Sequence, residues 1–128
     1  MLPDAGDIAW VDFEPIKGTE QGGKRPALIV SERGMHEMTR RAIICPITRN
    51  VQPWPTKILL PDGLAAQGAV LIDQIRSIDR NERILRMLGK VPKPFLASVR
   101  HKLAALLGIE FGTVSGGTRD KPGETKEM

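Results

Sequence analysis

The spacing of glycine and proline limits what this chain can fold into more than any other feature. With 13 Gly and 10 Pro in 128 residues, most apolar runs are cut too short for helices and carry the β-branched composition of strands. Ile8–Phe13, after a Gly6-Asp7 turn, reads as a first strand and Arg25–Ser31 as a second. Arg41–Cys45 reads as a third, stopped by Pro46, and Thr56–Leu60 as a fourth before the Pro61-Asp62-Gly63 turn. Gly68–Ile78 is one long β-like run, and Leu85–Val91 a last strand split by Gly89. Met35–Met38 reads as an irregular or short helical piece and Arg80–Arg83 as one helical turn.

Only one segment repeats at helical spacing. After Pro92 and Pro94, residues Phe95, Leu96, Val99, Leu103, Leu106 and Leu107 fall three and four apart, and Gly108 supplies a stop. The pattern predicts a mainly β fold with α decoration: a small, strongly bent antiparallel sheet or barrel closed by a C-terminal helix. One domain is expected over residues 1–111. Residues 112–128, rich in Gly, Thr, Lys and Glu, have the composition of a disordered polar tail.

Charge and chemistry narrow the function classes. The formal charge is +4 and the sequence pI about 9.6, and the residues from Ile109 onward are slightly acidic, so the positive field belongs to the folded body and suits a polyanionic partner. Cys45 is the only cysteine, which excludes an intrachain disulfide framework and reads as a small core residue of a protein in a reducing compartment. Met1–Trp10 lacks the features of a secretory signal, and no apolar run is long enough to cross a bilayer, so a cytoplasmic location and no membrane partner are expected. His36 and His101 stand far apart without ligand-like neighbours, which argues against zinc. P-loop, dinucleotide and G-x-S-x-G signatures are absent.

What remains is Arg, Thr, Glu, Asp and Gln at strand ends. The loop Gly18-Thr19-Glu20-Gln21-Gly22-Gly23-Lys24-Arg25 sets several of them beside a rigid apolar strand, as binding loops often are. That inventory suits cleavage of RNA by its own 2′-hydroxyl, where the substrate brings the nucleophile and the protein supplies geometry, charge and proton transfer. No cofactor is then called for.

Four stretches carry a more specific signal. Gly6-Asp7-Ile8-Ala9-Trp10-Val11-Asp12-Phe13, the run Lys17–Ser31, Cys45-Pro46-Ile47-Thr48 and the run Gly68–Asp79, in that order, closely resemble the MazF/PemK family of toxin endoribonucleases over about residues 6–108. The resemblance implies an SH3-like small β-barrel, a homodimer, metal-independent cleavage of single-stranded RNA to a 2′,3′-cyclic phosphate, and neutralisation by a cognate antitoxin protein.

Carried over residue by residue, Arg25 matches the family's catalytic arginine and Thr48 the threonine that assists it. Glu20 matches a loop acid that serves as general base in some members. Gln21, Gly22 and Lys24 on the same loop, and Arg49 beside Thr48, are expected to contact the strand; Lys24 departs from the histidine common in relatives. Trp54, between two prolines, reads either as a platform for an unpaired base or as an apolar plug under its loop. Asp73 and Arg76 read either as a structural ion pair or as contacts in an RNA groove, since Leu71 stands where relatives with this aspartate carry arginine; Asp73 also competes with Glu20 as the base. Gln74 and Ser77 read as base contacts or as strand-end hydrogen bonds. Two other classes share the fold: a non-catalytic toxin acting on a protein such as DNA gyrase, and an SH3-like nucleic-acid-binding module.

Overall fold

A computed structural model of the protein describes residues 2–15, 18, 19 and 22–110. The punctuated apolar runs become strands: β1 (Asp7–Asp12), β2 (Lys24–Ile29), β3 (Arg41–Thr48), β4 (Lys57–Leu59), β5 (Ala69–Leu71), β6 (Arg76–Asp79) and β7 (Ile84–Lys90). Helix α1 (Arg33–Met38) joins β2 to β3, the single turn α2 (Arg80–Arg83) joins β6 to β7, and α3 (Lys93–Leu106) ends the domain. The strands form one antiparallel sheet in the order β4-β5-β3-β2-β1-β7, with β6 also paired to β3.

β3 is the hub. Its first half pairs on both edges, Ile44–Pro46 with β2 and Arg41–Ile44 with β6. Its last two residues, Ile47 and Thr48, pair instead with Val70 and Ala69 of β5. The change of partner bends the sheet and separates two apolar layers. Ile8, Leu28, Cys45, Ile47 and Val70 pack under Val99 and Leu103 of α3, while Ala9, Val11, Phe13, Ile29, Ile44 and Ile78 form a second cluster. α2 bridges β6 and β7 where no ladder joins them among the described residues, so the barrel-like sheet stays open. Asp79 caps that turn, its carboxylate accepting from the N–H groups of Asn81 and Glu82.

The structure corrects several boundaries. Pro46 does not stop the third strand; the strand runs on to Thr48. The second edge of β3 is unpaired at Cys45 and Pro46, between the β6 and β5 ladders, so the missing N–H breaks no ladder bond on that edge. Gly68–Ile78 is not one run. A 3₁₀ turn at Ile72–Gln74 divides it into β5 and β6, because one straight strand cannot follow both halves of a bent β3. Nor does Gly89 split the last strand: it sits in β7 opposite Ile8, next to a register shift. The apolar stripe of α3 is only partly buried, Val99 and Leu103 being covered and Leu106 and Leu107 exposed.

His36 is buried, with Nδ1 bonded to the Pro3 carbonyl oxygen at 2.7 Å and Nε2 paired with the Ser31 hydroxyl at 2.7 Å. It ties the N-terminal segment to α1 as a structural group. Among the described residues no helix is long and apolar enough to cross a membrane, and no cluster of three metal-ligating side chains is present. The polar tail beyond Glu110 lies outside the described residues.

Candidate active site

The antiparallel register of β2 and β3 sets Ala27 opposite Pro46 and Leu28 opposite Cys45. Continued by two residues, it brings Arg25 opposite Thr48, just past the end of the β2–β3 ladder. The gap opens into a groove of about 1170 Å³ lined by Arg25, Thr48, Lys24, Arg49 and, across from them, the β4–β5 segment Leu59–Gly68. Gly68 is required there. Its φ is +122°, and a Cβ would fall 2.0 Å from the Thr48 carbonyl oxygen, so only glycine lets β5 approach close enough to hold Thr48.

Hydrogen bonds orient both groups. The Arg25 Nε donates to the Gly22 carbonyl oxygen at 2.8 Å, which anchors the guanidinium on the loop and leaves its terminal nitrogens as a fork for an anion. The buried Thr48 Oγ1 accepts from the Asn50 N–H at 3.2 Å, so its own hydroxyl proton remains available to donate. The groove's described lining carries four cations, Lys24, Arg25, Arg49 and Arg86, against one carboxylate, Asp62. None of the four forms an ion pair among the described residues, and the charge of the described lining is net positive.

Thr48 also borders a second cleft of about 340 Å³ that contains Trp54, Asn50, Lys57, Asp73 and Gln74. Two cavities thus meet at one residue, Thr48. A model of the PemK-like, MazF-like toxins of type II toxin–antitoxin systems matches residues 4–107. The chain belongs to this family. The endoribonuclease toxin MazF of Escherichia coli (strain K12) is 35% identical over 107 residues, covering 84% of this chain and 96% of that one. The endoribonuclease PemK of Escherichia coli is 32% identical over 108 residues, 81% of each chain. Among solved structures, MazF from Deinococcus radiodurans superposes with a TM-score of 0.80 at 40% identity over 85% of this chain and 99% of that one. A MazE–MazF complex from the same organism gives 0.73 at 35% identity, covering 86% and 99%.

In this PemK/MazF-like chain the structure distributes the remaining candidates unevenly. Trp54 is 63% exposed, so it is not a plug under its loop. Lys57 Nζ donates to the carbonyl oxygens of Asn50 and Gln52 at 2.8 and 3.2 Å and fixes that loop. Asp73 and Arg76 form no ion pair with each other among the described residues. Arg76 instead lies over the Phe13 ring, 5.8 Å from its centroid, in a third cleft that also includes Thr19, Asp73 and Gln74. Asp73 raises the already high pKa of the neighbouring thiol: burial first, and that carboxylate second, push Cys45 up to about 12. Such a thiol is inert at neutral pH.

Ser77 is not brought to the Arg25–Thr48 groove. Its hydroxyl accepts from Arg41 Nε at 3.0 Å and its carbonyl oxygen from Arg41 Nη2 at 2.9 Å, facing a separate mixed-charge cleft with Asp12, Glu82 and Arg83. Glu20 and Gln21 lie outside the described residues. Sequence reasoning passed over Asn50, which holds Thr48, and Trp10 and Arg86, which line the groove. Asn50 had a signal in its position two residues after Thr48; Trp10 and Arg86 had none beyond strand alternation.

Proposed function

We propose that this chain is an endoribonuclease toxin that cleaves single-stranded RNA without a metal and is neutralised by a cognate antitoxin. Membership of the toxin family and the relatives named as endoribonucleases support the reading, as do solved complexes of similar toxins with MazE. The observation that carries it is the convergence of Arg25 and Thr48 on one groove through the β2–β3 register. Residues 1–111 form the toxin domain, and it works as a homodimer in the cytoplasm.

In the proposed reaction the 2′-oxygen attacks the adjacent phosphorus and the P–O5′ bond breaks. The products are a 2′,3′-cyclic phosphate and a free 5′-hydroxyl. The Arg25 fork takes the non-bridging oxygens as charge builds, and the Thr48 hydroxyl donates one further hydrogen bond to the same phosphate. The 2′-hydroxyl proton goes to a carboxylate, Glu20 on the loop, with Asp73 as the competing base, and Arg25 gives a proton to the leaving 5′-oxygen. Lys24 and Arg49 hold flanking phosphates, and Gln21, Gly22 and Gln74 contact the strand.

The test is cleavage of a long RNA in EDTA with the ends of the fragments mapped. Parent protein is expected to leave 2′,3′-cyclic phosphate ends. Arg25→Ala is expected to lose on the order of 10²–10³ in kcat, and Thr48→Val a similar amount. Parent-like cleavage by Arg25→Ala would overturn the assignment.

A further inference from the structure

One part of the groove wall is built by three strands at once. Trp10 on β1 stands opposite Pro26 on β2 and Arg86 on β7, and all three line the same groove as Arg25 and Thr48. Side chains alternate along β1, so Ile8, Trp10 and Asp12 share a face. The Ile8–Leu28 row is fully buried against α3. The Asp12–Lys24 row is the polar rim. Trp10, half-buried between them, marks the place where the core layer emerges into the groove.

Its neighbours define what would lie on it. Arg86 is exposed and forms no ion pair among the described residues, and Lys24 stands on the next row outward with the same lack of a partner. An aromatic side chain between two cations, with an apolar Leu88 beside it, is the arrangement that takes an unpaired base and its phosphate. Trp54 lies in the other cleft, and Thr48 borders both. A strand whose phosphate is held at Thr48 therefore enters one cavity on one side of the cut and the other cavity on the other side.

We infer that Trp10, flanked by Arg86, is a second stacking platform, holding a base of the bound RNA away from the scissile phosphate and opposite in direction to the Trp54 cleft. The inference rests on the RNA-cleaving reading above. It makes base identity at that one position matter less than the presence of a base, because stacking accepts every π-face.

The test uses the full chain and a short single-stranded RNA that the parent cleaves, made uncleavable by a 2′-deoxy substitution at the cut. A series of the same strand carries an abasic site at each position in turn, and binding is followed by fluorescence anisotropy. One abasic position is expected to weaken binding to the parent about tenfold yet to cost nothing further in Trp10→Leu, while Trp10→Phe behaves like the parent. Arg86→Gln, an exposed change that does not depend on the core, is expected to lower the slope of log affinity against log salt by about one. Equal losses for parent and Trp10→Leu at every abasic position would overturn the inference, as would an unchanged salt slope in Arg86→Gln. If the parent cuts RNA while these fail, the platform is wrong and the activity stands; if the parent neither binds nor cuts single-stranded RNA, both fall.

Discussion

The two halves of β3 are made of similar residues and do opposite things. From Arg41 to Pro46 the strand is paired on one or both edges and most of its side chains, Ala42, Ile44 and Cys45 among them, are wholly buried. At Ile47 and Thr48 the ladder with β2 has ended, and Lys24 to Pro26 of β2, still paired with β1 on the other edge, line a groove. The closed half supplies stability and the open half supplies the site. Thr48 keeps its ladder to β5 on the opposite edge, so the cleft opens one edge of β3 while the other stays paired.

The sharpest way to break that contrast is to push β5 away from Thr48. Gly68→Ala places a Cβ 2.0 Å from the Thr48 carbonyl oxygen on a backbone with φ +122°. Strain and overlap together are expected to cost more than about 3 kcal/mol, read as a fall in Tm, and to remove most RNA cleavage. Cys45 reports whether the damage is confined. In the parent its thiol, pushed up to about 12 by burial and by Asp73, is expected to resist alkylation at neutral pH. If it stays unreactive in folded Gly68→Ala, the two halves respond independently; rapid labelling would mean they form one cooperative unit.

Much of this contrast could be read from the residues beforehand, and the part that could not has a common cause. The strands, the glycine-rich loop and the terminal helix announce themselves because each is a local pattern of apolar residues and breakers. Arg25 and Thr48 were legible because both sit in ordered motifs at strand ends. The partner change of β3 was not. Pro46 looks like a stop to any rule that knows only its missing N–H, and its tolerance depends on β5 and β6 arriving from residues 69–79. The same distant pairing splits Gly68–Ile78 and turns Ser77 toward Arg41. Trp10 alternates correctly for a core strand, and only the three-strand register reveals that its row lies in the groove.

A gentler change sharpens the comparison from the closed side. Ile44 is fully buried and paired to both Ile29 and Arg76. Ile44→Val is expected to cost about 0.5–1.5 kcal/mol of stability, measured by denaturant unfolding, with kcat per folded molecule unchanged. A loss of kcat larger than the loss of folded protein would show that packing in the closed half sets the geometry of the open one.

The smallest effect lies at the far end of the closed half, where Asp79 pairs with Arg41 across the ladder and caps α2. Burial alone would raise its pKa, but the N–H groups of Glu82 and Asn81, with the Arg40 guanidinium 3.4 Å away, outweigh that and hold the carboxyl below its ordinary value of 3.8. A depressed folded-state pKa means that the ionised carboxylate stabilises the fold at every pH above the unfolded value, and that this contribution is lost as pH falls through 3.8 toward the folded value. Asp79→Asn keeps an accepting oxygen for the cap but has no proton to gain. Thermal melts from neutral pH down to the carboxylate range are expected to show the parent losing slightly more stability than Asp79→Asn over the acid part of the range, with the two curves parallel above it. Cleavage per folded molecule at neutral pH should be the same in both, because Asp79 faces a cleft that neither Arg25 nor Thr48 lines. If the variant loses activity there, charge at the closed end is felt in the groove, and the division of β3 into a half that holds and a half that acts is wrong.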